Sequence, residues 1–301
     1  MSSSTQKGLT LANANATRGF RVFMGIMAVF LVILCILMLL PFWYLLVNSL
    51  RPEEAILANG YRFVIDTFSL DNYKILLRRS SPVFRGYLVT MSATIVGTLL
   101  AMIMTTSFAY VVSKRDVPLT KAMLLFVFIG WNLPSGLISW YIQMRNLGLG
   151  NSWWANVAPD LVSLMNVLLM KTFFQEGNTR ALEEAARLDG ANDWTVLLSV
   201  VLPVSKPILA TISLFYGVAF WNTWWPASML ISDQSLYPIQ LVVNQITRSA
   251  EMLYKLGGLR TSSVEGLKMA AASVAILPLL LVYPFVQRHF VKGVMIGAFK
   301  E

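Results

Sequence analysis

Ala181-Leu-Glu-Glu-Ala-Ala-Arg-Leu-Asp-Gly190 and the run after it, Ala191-Asn-Asp-Trp-Thr-Val-Leu-Leu-Ser-Val200-Val-Leu-Pro203, spell two helices and the turn between them. The first ten residues are mostly strong helix formers. Glu183 and Arg187 stand four apart and can pair on one face, worth a few tenths of a kcal/mol, on the order of 0.3. Ala185 and Ala186 leave a smooth surface that another chain can approach closely. Gly190 supplies the left-handed residue that commonly closes a helix. Asn192 suits the N-cap of a second helix. Pro203 and Pro207 break or bend that helix as it turns into the apolar run that follows. An acidic, alanine-rich first helix is unsuited to resting on lipid, which wants bulky apolar residues opposite Lys and Arg. The segment therefore reads as a helix-turn-helix exposed to the cytoplasm.

The flanks of this segment are membrane-like. A helix needs about 20 mostly apolar residues to cross the hydrocarbon core. Six blocks meet this, at about 23–47, 87–112, 123–144, 153–174, 208–231 and 269–286. The helix-turn-helix, with its connections at 176–207, falls between the fourth and fifth. Hydrophobic residues make up 56% of the chain and charged residues 13%, with mean hydropathy +0.62. Soluble domains carry about a quarter charged residues, so a bilayer is the expected solvent. The fold class is an all-α integral membrane protein with six transmembrane helices. No internal repeat is evident.

The net charge of +9 comes from short clusters between apolar blocks, which fits lipid headgroups and topology control rather than nucleic acid. Lys7, Arg18 and Arg21 precede the first block. Lys114, Arg115 and Lys121 lie between the second and third, and Arg288, Lys292 and Lys300 follow the sixth. The positive-inside rule then puts both termini in the cytoplasm. The loop from Arg51 to Arg85 is basic on the outer side, but it is long and its acids offset part of that charge. Residues 1–22 form a polar, flexible cytoplasmic tail, and the run after it is too long for a signal-peptide core. Leu70 to Leu77 reads as a short interfacial helix and Ser232 to Lys268 as an extended outer loop. Cys35 is the only cysteine and His289 the only histidine, which excludes a disulfide framework and makes a metal cluster or a His-based triad implausible.

The spacing Glu184-Ala185-Ala186, three residues, Gly190, nine residues, Val200, then Leu202-Pro203 resembles the docking motif of binding-protein-dependent ABC importer permeases. Pro207-Ile-Leu-Ala-Thr, Phe220-Trp-Asn222, Leu236-Tyr-Pro-Ile-Gln240 and the tail Tyr283 to Gly297 resemble the maltose-importer-like permeases, in the subgroup that handles complex oligosaccharides including alginate-type uronates. The chain departs from that group at Val89, where relatives often carry Asn, and in its polar N-tail. The resemblance implies a type I importer permease fold. It assigns ATPase coupling to Glu183, Glu184, Ala185, Ala186, Arg187, Asp189, Gly190, Leu202 and Pro203. It implies a second, homologous permease, two ATP-binding subunits holding ATP and Mg, and an extracytoplasmic binding protein, in a bacterial inner membrane. No cofactor and no catalytic residue is expected here.

The remaining chemistry agrees. The chain lacks the Gly-x-x-x-x-Gly-Lys-Ser/Thr phosphate loop, so nothing in it marks an ATP site. Acidic residues are nearly absent from the apolar blocks, which counts against a proton- or sodium-coupled carrier. Sugar C–H faces pack on aromatic rings while amides bond hydroxyls, so Trp221, Asn222 and Trp225, with Trp131 and Asn132, are the expected pathway residues. Trp153 and Trp154 read instead as part of an interfacial aromatic belt. Basic residues of the outer loops, among them Arg248, Lys255 and Arg260, favour an anionic sugar at the pathway mouth. The competing reading is the same architecture carrying a polyol or glycerol-phosphate.

Overall fold

The structure is a computed structural model that describes residues 18–114, 117–133, 136–175, 177–255 and 265–298; the side chains of 18, 177–178, 249–255 and 282–298 are not described. Most of the N-tail, together with Arg115, Pro134, Glu176, Arg260 and Lys300, lies outside the described residues. So do the side chains of Lys255, Arg288, His289 and Lys292.

Among the described residues the regular structure is all helix, with no strand. In order it forms α1 (Arg18–Ser49), α2 (Glu53–Asn59), α3 (Asp71–Leu76), α4 (Pro82–Ser113), α5 (Thr120–Asn132), α6 (Leu137–Asn146), two short 3-10 turns (Trp153–Asn156 and Ala158–Asp160) and α7 (Leu164–Phe174). Then come α8 (Gly177–Leu188), α9 (Asp193–Val204), α10 (Lys206–Trp221), α11 (Trp225–Leu230), α12 (Ile239–Lys255) and α13 (Glu265–Ala298). Among the described residues, two helices are long and apolar enough to cross a membrane unaided, Gly19–Ser49 and Pro82–Ser113. Three bent pairs reach that length together: α5 with α6, the 3-10 turns with α7, and α9 with the α10–α11 run. Hydropathy does not see such breaks, so the fourth and fifth blocks read as continuous. The segment Trp153–Asp160 meets α7 at 49°, with Pro159 in the last 3-10 turn and Ser163 extended. In the fifth, Pro226 cannot donate to the carbonyl four residues back, at Asn222, so α10 ends at Trp221 and a new helix starts at Trp225.

α4 is the axis of the fold, about 48 Å long at 1.5 Å per residue. Its buried stripe is small: Gly86, Thr90, Ala93, Gly97, Ala101, Thr105 and Ala109 recur every three or four residues. In a bilayer, lipid is as apolar as leucine, so helices associate through close van der Waals packing that small residues permit. A Cβ at Gly97 would sit 2.9 Å from the ring of Phe220 on α10. A Cβ at Gly86 would sit 3.2 Å from the backbone of Ile239 at the start of α12. The Thr90 hydroxyl also accepts the Ile239 N–H at 2.8 Å. One end of α4 thus meets α12 and the other, at Ser113, meets the helix-turn-helix.

α13 lies against α1, α10 and α12. Pro278 inside it cannot donate to the Val274 carbonyl. The Tyr87 hydroxyl donates to that oxygen instead, at 2.7 Å, and the Trp221 indole N–H donates to the next one, Ala275, at 3.1 Å. The two rings meet edge to face with centroids 5.6 Å apart.

The lobe formed by α2, α3 and the segment between them is organised by Arg51, whose side chain is fully buried. Its five N–H groups find five acceptors: both Asp66 carboxylate oxygens, Asn48 Oδ1 and the carbonyls of Gly60 and Ala55. Sequence reading counted Arg51 among the basic residues of the outer face; the fold consumes its charge inside. The expected interfacial helix is present as α3. The expected extended outer loop after Ser232 contains instead the helix α12, with Ile239, Val242, Val243 and Ile246 at i, i+3, i+4 and i+7 packed on the core.

Candidate functional site

The helix-turn-helix forms by the local chemistry its residues carry. Gly190 has φ +85°, the Gly190 N–H donates to Arg187 O at 3.1 Å, and the Ala191 N–H donates to Ala186 O at 3.0 Å. This pair of bonds is the Schellman closure that a left-handed glycine allows. Asn192 caps the second helix, its side-chain oxygen accepting the Thr195 N–H at 2.8 Å. α9 widens into a π-helix over Val196–Val201 just before Pro203, which has no N–H to offer the Ser199 carbonyl. The chain then turns by 83° into α10.

Three anchors fix this element to the bundle. Ala186 and Ala191 pack on a core that includes Tyr110 of α4, Phe174 of α7 and Leu197 of α9. The Gln175 amide donates to the Ser113 carbonyl at 2.9 Å. Lys114, just past α4, donates to the Glu183 carboxylate and lies over the Tyr110 ring, 3.8 Å from its centroid. Glu183 also pairs with Arg187 at 3.2 Å, and Arg187 reaches Asp193 at 2.7 Å across the turn. Burial would push the Arg187 guanidinium down, but the neighbouring Asp193 and Glu183 carboxylates outweigh it and hold it above its usual value.

The residues assigned to coupling therefore divide. Glu183 and Ala186 face the bundle; Arg187, itself exposed, joins Glu183 to Asp193 at the edge. Glu184, Ala185, Asp189 and Gly190 are exposed, as are Leu188 at 90% and Trp194 at 71%. Glu184 pairs only along its own helix, with Arg180 at 2.8 Å. Leu202 packs against the core, and Pro203 sits at the end of the π-helix. Sequence reading had proposed a Glu183–Arg187 pair and did not include Lys114, whose partner lies 69 positions away and leaves no local signal.

The expected pathway residues are also distributed unevenly. Trp221 is buried within this chain, bonded to α13 as described. Asn222 is exposed at the end of α10, and its amide donates to Val218 O at 2.9 Å. Trp225 is exposed and its ring lies 4.7 Å from that of Trp140 on α6. Trp131 and Asn132 are exposed at the end of α5, with the Asn132 amide turned back to Phe128 O. Trp153 reaches inward to Ser92 at 3.2 Å. One acid does lie within the apolar blocks and out of the core: Asp160, in the break of the fourth, is exposed and accepts a long hydrogen bond from the Thr223 hydroxyl at 3.4 Å.

The two-helix element thus has one exposed edge, is held to the ends of α4 and α7, and continues into α10. No family model matches the chain. The polygalacturonan/rhamnogalacturonan transport system permease protein YtcP of Bacillus subtilis (strain 168) is 33% identical over 275 residues, covering 90% of this chain and 96% of that one. Protein LplC of the same organism is 35% identical, covering 87% and 89%. A solved chain of a bacterial ABC transporter involved in the import of the acidic polysaccharide alginate superposes with TM-score 0.80 at 26% identity, over 91% of this chain and 98% of that one. The chain belongs to the carbohydrate ABC importer permeases, as a non-catalytic, membrane-embedded subunit.

Proposed function

We propose that this permease is one half of a heterodimeric core that imports oligosaccharides carrying uronate units. A homologous permease supplies the other half. Two ATP-binding subunits dock below, and a binding protein delivers cargo from outside. The cytoplasmic side is the side of α8, and both termini lie there. The observation that carries the reading is the element α8–α9: its exposed edge of Glu184, Ala185, Leu188 and Gly190 offers a surface to a cleft, and its inner edge is tied to α4, α7 and α10. Closing of the ATPases displaces that edge, and the three spans move with it.

The acidic cargo is supported by the relatives, one named for polygalacturonan and one solved for alginate. It is also supported by exposed Arg78, Arg79, Arg85 and Arg248 at or beside the outer segments. Arg51 takes no part, since Asp66 neutralises it. The test is uptake of trigalacturonate by the assembled importer in proteoliposomes, with ATP hydrolysis measured in parallel. Saturable uptake coupled to hydrolysis is expected; a flat response to trigalacturonate beside strong uptake of a neutral oligosaccharide refutes the acidic cargo.

A further inference from the structure

The fourth and fifth spans are both broken, and their breaks meet. The fourth is interrupted between the 3-10 turn Ala158–Asp160 and α7, the fifth between α10 and α11. Asp160 of the first break and Thr223 of the second touch through the hydrogen bond at 3.4 Å. The junction is braced from behind by Tyr216, whose hydroxyl accepts the Ser163 N–H at 2.9 Å and shares a hydrogen bond of 2.6 Å with Thr105 of α4. Asn222 and Trp225 sit on either side of Thr223, both exposed. Counting about 1.5 Å per residue from the α8 end, Asp160 and Thr223 both lie in the outer part of the hydrocarbon slab.

A carboxylate at that depth does not face lipid, where its charge is strongly disfavoured. It is not consumed inside the fold either. Among the described residues its side chain has one partner, the Thr223 hydroxyl, and the residue is exposed in this chain, unlike a buried ion pair. Irregular backbone at membrane depth is tolerated where it lines a water-filled cavity. The irregular backbone and the exposed Asp160, Asn222 and Trp225 favour the pathway over lipid for this face.

We infer that Asp160 is a specificity-determining residue of the permeation pathway, accepting hydroxyls of a sugar ring that packs on Trp225 and disfavouring a sugar carboxylate at the same place. Resting on the oligosaccharide reading above, this orients an acidic cargo: the hydroxyl edge of the ring meets Asp160, and its carboxylate points away, across the cavity. Asn222 adds an amide to the same edge, and Trp140 backs the ring of Trp225.

The experiment uses the assembled importer in proteoliposomes, with Cys35, the chain's only cysteine, replaced by Ser. In one arm Asp160→Cys is exposed to a charged, membrane-impermeant methanethiosulfonate, with Ser80→Cys in the outer loop as the positive control. Modification of Asp160→Cys at a rate that changes when the ATPases are trapped with ATP and vanadate is expected. No modification in either state, with the control modified, overturns the proposal. In the other arm Asp160→Asn is compared with wild type on trigalacturonate and on its carboxyl-reduced neutral counterpart. Loss of a charge-assisted bond raises KM for the neutral sugar about tenfold, while KM for the acidic sugar rises less or falls. An equal change for both sugars, or a fall in maximal rate alone, assigns Asp160 a structural role and also overturns it. A wild-type importer that takes up neither sugar refutes the uronate reading, and the labelling arm still decides Asp160 on its own.

Discussion

Lys114, just past the end of α4, donates to the carboxylate of Glu183 in the middle of α8, and the pair is largely shielded, with side-chain exposures of 10% and 13%. The bond joins α8 to α4, the span that runs through the centre of the bundle. A hydrogen bond between charged groups is worth about 1.5–3 kcal/mol, which keeps α8 and the end of α4 paired most of the time. Lys114→Ala is expected to leave the ATPases bound and lower the sugar taken up per ATP hydrolysed several-fold. The reversed pair, Lys114→Glu with Glu183→Lys, should recover part of that loss. Uptake and hydrolysis measured on the same vesicles decide it; an unchanged ratio in Lys114→Ala means that the tie carries no force.

The helix-turn-helix was legible because its determinants are local. A left-handed glycine, an Asn cap and a proline act on the residues beside them, and Gly190, Asn192 and Pro203 were read correctly from sequence alone. Long-range partners were not legible. Lys114 looked like a topology charge, Arg51 like a surface charge and Trp221 like a sugar platform, because each one's acceptor sits in a segment brought close only by the fold. Asp160 escaped notice because hydropathy averages one acid away and does not see that the helix is interrupted around it.

Gly190 tests the turn without touching the packing. A Cβ there meets nothing within 4 Å in this chain, yet φ is +85°, where a left-handed conformation costs an ordinary L-residue about 1–2 kcal/mol. Gly190→Val should disturb the α8–α9 angle, with normal membrane insertion and weakened ATPase association in co-purification. Gly190→Asn, which visits this region readily, should retain association to within about twofold. Equal loss in both would point instead to a partner surface pressed against the glycine itself.

Gly97 tests the close approach of α4 and α10. Its added Cβ would stand 2.9 Å from Phe220, a ring that is 1% exposed and has no room to retreat. Gly97→Ala is expected to cost about 1–3 kcal/mol by overpacking, seen as a lowered thermal midpoint in detergent. Gly130→Ala, at a position open on all sides, serves as the control and should not lower it.

The lobe around Arg51 makes a prediction about pH. The Arg51 guanidinium beside Asp66, first through its hydrogen bonds, holds the Asp66 carboxyl well below the usual carboxylate range, with the Thr67 N–H adding to the effect. A depressed folded-state value contributes stability that is complete above the unfolded value and is lost as pH falls through the folded one. Protease susceptibility of the loop between α1 and α4 should therefore stay flat from neutral pH down to the ordinary Asp range and rise only in stronger acid. Asp66→Asn should raise it at every pH, since Arg51 is then buried without its counter-charge. A cleavage profile that instead steps up between pH 6 and 5 would mean another group governs the lobe.

Tyr87 and Pro278 supply the most direct test of the helix packing. Pro278 leaves the Val274 carbonyl without an intrahelical donor, and the Tyr87 hydroxyl fills that vacancy at 2.7 Å. With no water in the surrounding hydrocarbon, Tyr87→Phe strands the oxygen, at a cost of about 1–3 kcal/mol. Pro278→Ala restores a backbone N–H at the right place, so Tyr87→Phe should be much less harmful in that background. A thermal-unfolding double-mutant cycle in detergent measures the coupling. A strongly non-additive pair supports the assignment, because the tyrosine is needed only while the proline is there. Simple additivity would show that Tyr87 stabilises α13 through its ring against Trp221 and not through the carbonyl.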